Sequence, residues 1–102
     1  VEWARLVEAN LSVCDFVDRA EVVVADGPRW LAANSGPWDL VLLDPPYAFD
    51  GWPDLLAGPL VDSGVGTVVM ESNRELDPGP SWNVLSTRRH GSTVVTLLTP
   101  TD

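Results

Sequence analysis

Lysine is absent from this chain of 102 residues, and its six basic residues, all arginine, face fifteen aspartates and glutamates. The formal net charge of −9 opposes sequence-independent binding to phosphate backbones, because that binding depends on many basic side chains. Any contact with nucleic acid is therefore expected at a local site rather than over a broad surface.

Cysteine and histidine occur once each, as Cys14 and His90. A single cysteine excludes a disulfide scaffold and favours a reducing compartment. One histidine without further ligands at suitable spacing predicts no metal site. The sequence also lacks a Cys–His or Ser–His–Asp arrangement for nucleophilic catalysis.

Long apolar stretches are missing as well. The apolar runs are only about four residues long, whereas roughly twenty residues are needed to cross a bilayer. No basic stretch followed by an apolar stretch opens the sequence, so it shows no secretory signal. Because 45% of the residues are hydrophobic, the composition still allows one packed domain over residues 1–102. We expect it in the cytoplasm, without membrane contact.

Apolar spacing and turn residues predict alternating helices and strands. The predicted helices cover residues 1–13 and 29–34 and begin again at Pro53, and the predicted strands cover 22–25, 39–43, 66–70, 83–89 and 92–99. The last two strands form a hairpin around His90-Gly91. This order predicts an α/β sheet, parallel first and antiparallel at its edge. Since the chain begins at Val1 within a helical pattern, rather than with methionine, we expect a fragment or a processed product.

The segment Asp44-Pro45-Pro46-Tyr47 directly follows the predicted strand 39–43, where ligands of open α/β sheets bind. Asp44 can accept a hydrogen bond from an exocyclic amine, and the prolines lack an N–H, so nearby carbonyls can face a ligand. Tyr47 offers a flat face on which a base can stack, worth about 1–3 kcal/mol. Two acceptors around one amine would turn its lone pair toward an electrophile. Alternatively, the four residues form a rigid turn in which Asp44 caps backbone donors.

This tetrapeptide is similar to motif IV of the class I S-adenosylmethionine-dependent amino methyltransferases. A wider pattern resembles the C-terminal half of RsmD-type 16S rRNA guanine-N2 methyltransferases. The stretches that carry it are 8–11, 22–27, 39–47, 69–71 and 89–93. In that family the sheet order is 3-2-1-4-5-7-6. The resemblance implies a partial Rossmann-like sheet with parallel strands 3, 4 and 5 and a C-terminal antiparallel hairpin, without strands 1 and 2 or the glycine-rich cofactor loop.

The resemblance also implies roles for individual residues. Asp44, Pro45, Pro46 and Tyr47 would hold the target base. Asp26 and Gly27 would bind the adenine end of S-adenosylmethionine, although Asp26 could equally be the N-cap of the helix at Pro28. Two further features could take part in function. Glu71 could serve the pocket, and the basic cluster Arg88, Arg89 and His90 could either contact RNA phosphates or form a solvated turn.

The function implied is methylation of an exocyclic base amine, guanine N2 of 16S rRNA, free or in a small-subunit assembly intermediate. No metal is expected, and the complete enzyme would be a monomer. The same tetrapeptide also serves adenine-N6 methylation of DNA. From a different class, the chain could be a truncated, inactive methyltransferase-like interaction domain, which the acidic balance and the missing cofactor loop favour for this polypeptide.

Without strands 1 and 2, the run 22–25 should either pair with 39–43 or lie poorly connected at an edge. We expect the core to centre on the strands over 39–43 and 66–70 and on the second strand of the hairpin, with the helix over 3–11 weakly docked. The expected core residues are Leu40, Val41, Leu42, Val68, Val69 and 94–97, and Trp3, Trp30 and Trp38 are expected to pack on the sheet.

Overall fold

The computed structural model describes residues 2–101. Its elements are α1 (Glu2–Val13), a short 3-10 helix (Val17–Arg19), α2 (Gly27–Ala33), β1 (Trp38–Leu43), α3 (Trp52–Ala57), α4 (Pro59–Asp62), β2 (Val65–Ser72), β3 (Trp82–His90) and β4 (Thr93–Pro100). The helix predicted over 1–13 is confirmed for Glu2–Val13, and Val1 lies outside the described residues. Among residues 2–101, none of the helices combines the length and the hydrophobicity that a membrane span requires.

The four strands form one mixed sheet in the order β1-β2-β4-β3. β1 and β2 are parallel, and β4 is antiparallel to both of its neighbours. The hairpin turns at Gly91, whose φ of 64° is one that glycine adopts without strain. The predicted α/β sheet, parallel first and antiparallel at its edge, is thereby confirmed. Its order equals that of strands 4, 5, 7 and 6 in the family named above.

The prediction of a further parallel strand over 22–25 is wrong. Among the described residues this segment has no strand partner, and Val23 and Val24 are 44% and 64% exposed. A β-branched run favours extended backbone, but a strand is stabilised only by a paired neighbour. Of the two arrangements expected for this segment, pairing with 39–43 is not observed, and the segment is poorly connected to the sheet.

The core lies on one face of the sheet. Alternate residues of β2 and β4 are buried, and they pack against α3 and α4. The fully buried side chains include Leu56, Leu60, Val68, Met70, Val94 and Leu98. Trp82 donates a hydrogen bond from its indole Nε1 to the Leu56 carbonyl over 2.8 Å, which ties the hairpin to α3. The predicted core residues on β2 and β4 are thus confirmed in part.

Two predicted core residues lie at the surface instead. Leu40 and Leu42 are 54% and 70% exposed, because β1 is an edge strand and their side of it is uncovered. Helix α1 has no buried residue, and its Trp3 is 76% exposed rather than packed on the sheet. The weak docking predicted for this helix is confirmed.

Candidate functional site

A cleft of about 670 Å³ opens between the start of α2 and the carboxyl end of β1. Asp26 and Gly27 line it on the side of the helix, and Asp44, Pro45 and Pro46 line it on the side of the strand. The structure therefore brings these five sequence-predicted residues to one cavity. Its volume is that of a typical small-molecule site.

Asp26 begins helix α2. Its carboxylate Oδ2 accepts a hydrogen bond of 3.2 Å from the backbone N–H of Arg29, and Pro28 occupies the first turn. The guanidinium Nε of Arg29 lies 4.0 Å from the same oxygen. The N-cap role of Asp26 is confirmed. The side chain stays 62% exposed and lines the cleft, so its cofactor role, like that of Gly27, stays a prediction.

Two tryptophans form an apolar wall of the cleft. The rings of Trp30 and Trp38 lie with their centroids 5.9 Å apart and their planes tilted by 36°. The indole Nε1 of Trp38 is buried and has no hydrogen-bond partner among residues 2–101. An aromatic wall of this kind suits a planar, apolar ligand better than a charged one.

The loop after β1 is closed by its own backbone. The N–H of Phe49 donates to the Pro46 carbonyl over 2.9 Å, and the Phe49 ring meets buried Trp52 edge-on with 5.3 Å between centroids. Within the described part of the chain, no hydrogen bond reaches the Asp44 carboxylate. The alternative in which Asp44 caps backbone donors is therefore not observed.

Tyr47 does not line the cleft. Its side chain is 42% exposed, and its hydroxyl forms a hydrogen bond of 2.7 Å with the hydroxyl of Thr93 at the start of β4. The tyrosine ring therefore stands between the loop and the C-terminal hairpin. Neither the motif nor the strand pattern indicated this contact, which joins residues 46 positions apart.

Arg74, in the segment after β2, holds the same loop from another side. Its Nη1 donates to the Tyr47 carbonyl and its Nη2 to the Phe49 carbonyl, both over 3.4 Å. No hydrogen bond to the Asp44 or Pro45 carbonyl is found in residues 2–101. These two carbonyls and the Asp44 carboxylate are the acceptors that stay available to a ligand. Sequence reasoning did not single out Arg74.

The other sequence candidates lie outside the cleft. Glu71 is half-buried on β2. Arg88, Arg89 and His90 are exposed at the end of β3, where His90 is paired with Thr93 across the hairpin. Since Thr93 contacts Tyr47, this basic cluster is next to the tyrosine rather than remote from it.

Comparison with models of protein families gives no match. Two curated relatives match over 46 residues, 45% of this chain, and both are ribosomal RNA large subunit methyltransferases K/L. The protein from Stutzerimonas stutzeri is 41% identical there, and the one from Pseudomonas paraeruginosa 39%. The matched stretch spans only 6% of the length of each relative.

Solved structures match over nearly the whole chain. Two are described as candidate methyltransferases: yhhF from Escherichia coli (TM-score 0.78, 22% identity, 95% of this chain and 56% of that one) and HI0767 from Haemophilus influenzae (TM-score 0.77, 19% identity, 97% and 66%). A conserved hypothetical protein from Streptococcus pyogenes gives a TM-score of 0.82 at 20% identity, over 95% of this chain and 64% of that one. This chain thus spans between half and two thirds of these proteins. It has the partial Rossmann-like α/β fold of methyltransferase structures.

Proposed function

We propose that this chain is the base-binding part of an S-adenosylmethionine-dependent methyltransferase that acts on an exocyclic base amine, guanine N2 of 16S rRNA. The observation that carries the proposal is the shared cleft, in which Asp26 and Gly27 face Asp44, Pro45 and Pro46. The fold and the partial similarity to ribosomal RNA methyltransferases support it.

The residues of the cleft fit one end of the proposed cofactor. An exposed carboxylate on Asp26 can accept a hydrogen bond from the adenine amine, and the wall of Trp30 and Trp38 suits a planar ring. The sequence has no glycine-rich loop after a strand for the methionine end. When bound, S-adenosylmethionine supplies an electrophilic methyl group, whose C–S bond breaks as the new N–C bond forms.

The acceptors at the end of β1 account for the activation of the amine. With the Asp44 carboxylate and the Asp44 and Pro45 carbonyls available, two N–H groups of the base can be held at once. This fixes the direction of the nitrogen lone pair and removes it from conjugation with the base. Catalysis then comes mainly from positioning, and the proton released from nitrogen passes to Asp44 or to water.

RNA would approach from the side of the hairpin. Arg88 and His90 occupy alternate positions of β3, and His90 is the cross-strand partner of Thr93, the residue bonded to Tyr47. Cations beside a stacked base can contact the flanking phosphates. In a chain of net charge −9, this local cluster is where we place the RNA backbone. We propose 16S rRNA or a small-subunit assembly intermediate as the partner, and a monomeric enzyme.

Alone, residues 1–102 should bind S-adenosylmethionine negligibly, with a Kd above about 1 mM, or weaker than about −4 kcal/mol. Asp26 and the tryptophan wall contact one end of the ligand only. Isothermal titration calorimetry checks this, with the candidate methyltransferase yhhF titrated for comparison. Micromolar binding would show that the cofactor site is already complete.

The function is tested by joining this chain to the part of yhhF that lies outside the matching region, which covers 56% of that chain. The fused protein is incubated with small-subunit RNA and methyl-labelled cofactor, and the nucleosides are analysed by mass spectrometry. N2-methylguanosine is expected. N6-methyladenine in a DNA arm would shift the proposal to DNA. No transfer by a folded, cofactor-binding fusion would favour the inactive interaction domain.

A further inference from the structure

We propose that Thr93 and Arg74 are positioning residues that fix the Asp44–Tyr47 loop and the ring of Tyr47 for the target base. The inference rests on the proposed function of that loop as a base site. Neither residue contacts the cleft, so both would act through Tyr47 and the backbone around it.

Thr93 fixes the free end of the tyrosine. The hydrogen bond of 2.7 Å at the hydroxyl fixes where the ring lies, because a change of χ1 would carry the hydroxyl away from Thr93. Thr93 is the first residue of β4, which lies inside the sheet between β2 and β3. The position of the ring is therefore held by the sheet as well as by its own loop. A stacking surface held in place before binding loses less conformational entropy when the base arrives.

Arg74 fixes the other end, at the backbone. Its planar guanidinium donates through two nitrogens to the carbonyls of Tyr47 and Phe49, both at 3.4 Å. Its own carbonyl accepts a hydrogen bond from the hydroxyl of buried Ser72 at the end of β2. A lysine cannot reproduce this fork, because its ammonium is a single point of donation. By engaging these two carbonyls, Arg74 leaves the acceptors at Asp44 and Pro45 as the ones directed to the base.

The chain contains one tyrosine, so labelling with 3-fluorotyrosine gives one fluorine NMR signal, from Tyr47. The base probe is guanosine 5′-monophosphate, titrated against the 102-residue chain. In Thr93→Val the signal should move and broaden, and the Kd for the nucleotide should rise about threefold to tenfold, the usual effect of losing one hydrogen bond. Thr93→Ser keeps the hydroxyl and should restore both values.

The matched control is Thr99→Val. Thr99 lies on β4 as Thr93 does, and on the same face of the sheet, because the two are six positions apart. It has no hydrogen bond to Tyr47. It should leave the signal and the Kd unchanged. For the second residue, Arg74→Gln and Arg74→Lys should both broaden the Tyr47 signal and weaken the nucleotide about threefold to tenfold. Arg5→Gln, on exposed α1, removes the same charge and should do neither.

Two results separate the positioning role from the function on which it rests. If the unmodified chain binds no guanosine 5′-monophosphate, the base site fails, and a Thr93-dependent fluorine signal still establishes the anchor on Tyr47. If the nucleotide binds but Thr93→Val and Arg74→Gln change neither the signal nor the Kd, while circular dichroism shows both variants folded, the positioning role is overturned and the base site stands.

Discussion

Asp44→Asn is expected to leave the fold intact and to lower methyl transfer by about 100-fold to 1,000-fold, the usual loss when one preorganised group at a reacting centre is removed. The side chain is exposed and lines the cleft, and no described residue donates to its carboxylate. Folding therefore does not depend on it. The neutral amide presents one acceptor and one donor group, and the donor would point at the amine where a second acceptor is needed.

The effect should appear in kcat and not in the affinity for the cofactor, because Asp44 faces the base rather than the adenine end. The measurement is steady-state methyl transfer by the fused protein described above, with cofactor binding followed by calorimetry. Asp54→Asn, an exposed aspartate on α3, is the matched control and should retain full activity. Unchanged turnover in Asp44→Asn would remove Asp44 from the reaction.

Trp82→Ala is expected to lower the free energy of unfolding by about 3–5 kcal/mol, the cost of deleting a large buried aromatic side chain. Trp82 is 5% exposed, and its Nε1 donates to the Leu56 carbonyl over 2.8 Å. Its loss opens a cavity between the hairpin and α3 and leaves that carbonyl unpaired. Because a small domain is stable by only about 5–15 kcal/mol, this variant should be largely unfolded at modest urea concentrations.

The control is another tryptophan of the same chain. Trp3 is 76% exposed on α1, so Trp3→Ala should change the free energy of unfolding by no more than about 0.5 kcal/mol. Urea titration followed by circular dichroism measures both variants. Similar losses in the two would mean that α1 is packed on the domain in solution, contrary to the structure.

The strand pattern predicted the four strands of the sheet. It failed for the run 22–25, because a strand forms only where a neighbouring strand is available to pair with it. The runs that became β1, β2 and the hairpin each find a neighbour. The run 22–25 is also apolar, and it has no strand partner among the described residues. The sequence predicts Leu40 and Leu42 in the core because a continuous apolar run is typical of a strand covered on both faces, whereas actual burial depends on what covers the strand. Whether another element covers a strand depends on the tertiary structure, which the local spacing of apolar residues does not determine.

The candidate site divides in the same way. Asp44 follows β1, so its place at the cleft agrees with the rule that ligand sites lie beyond strand ends. Asp26 follows an unpaired run and lines the same cleft as the N-cap of α2. Arg74 and Thr93 reach the loop from 27 and 46 positions away. No short motif joins residues at such distances, and an arginine or a threonine in a loop or strand is common. Their contribution became visible only through the hydrogen bonds.

The open edge of β1 affects how readily two chains associate. Unpaired N–H and C=O groups beside the exposed Leu40 and Leu42 form a template on which a second chain can add a strand. The net charge of −9 opposes this, because like-charged chains repel before their edges meet. That repulsion reaches only about 10 Å at 0.1 M salt and fades as carboxylates are protonated in acid. The acidity that disfavours a broad phosphate-binding surface thus also opposes association of two chains through the open edge of β1.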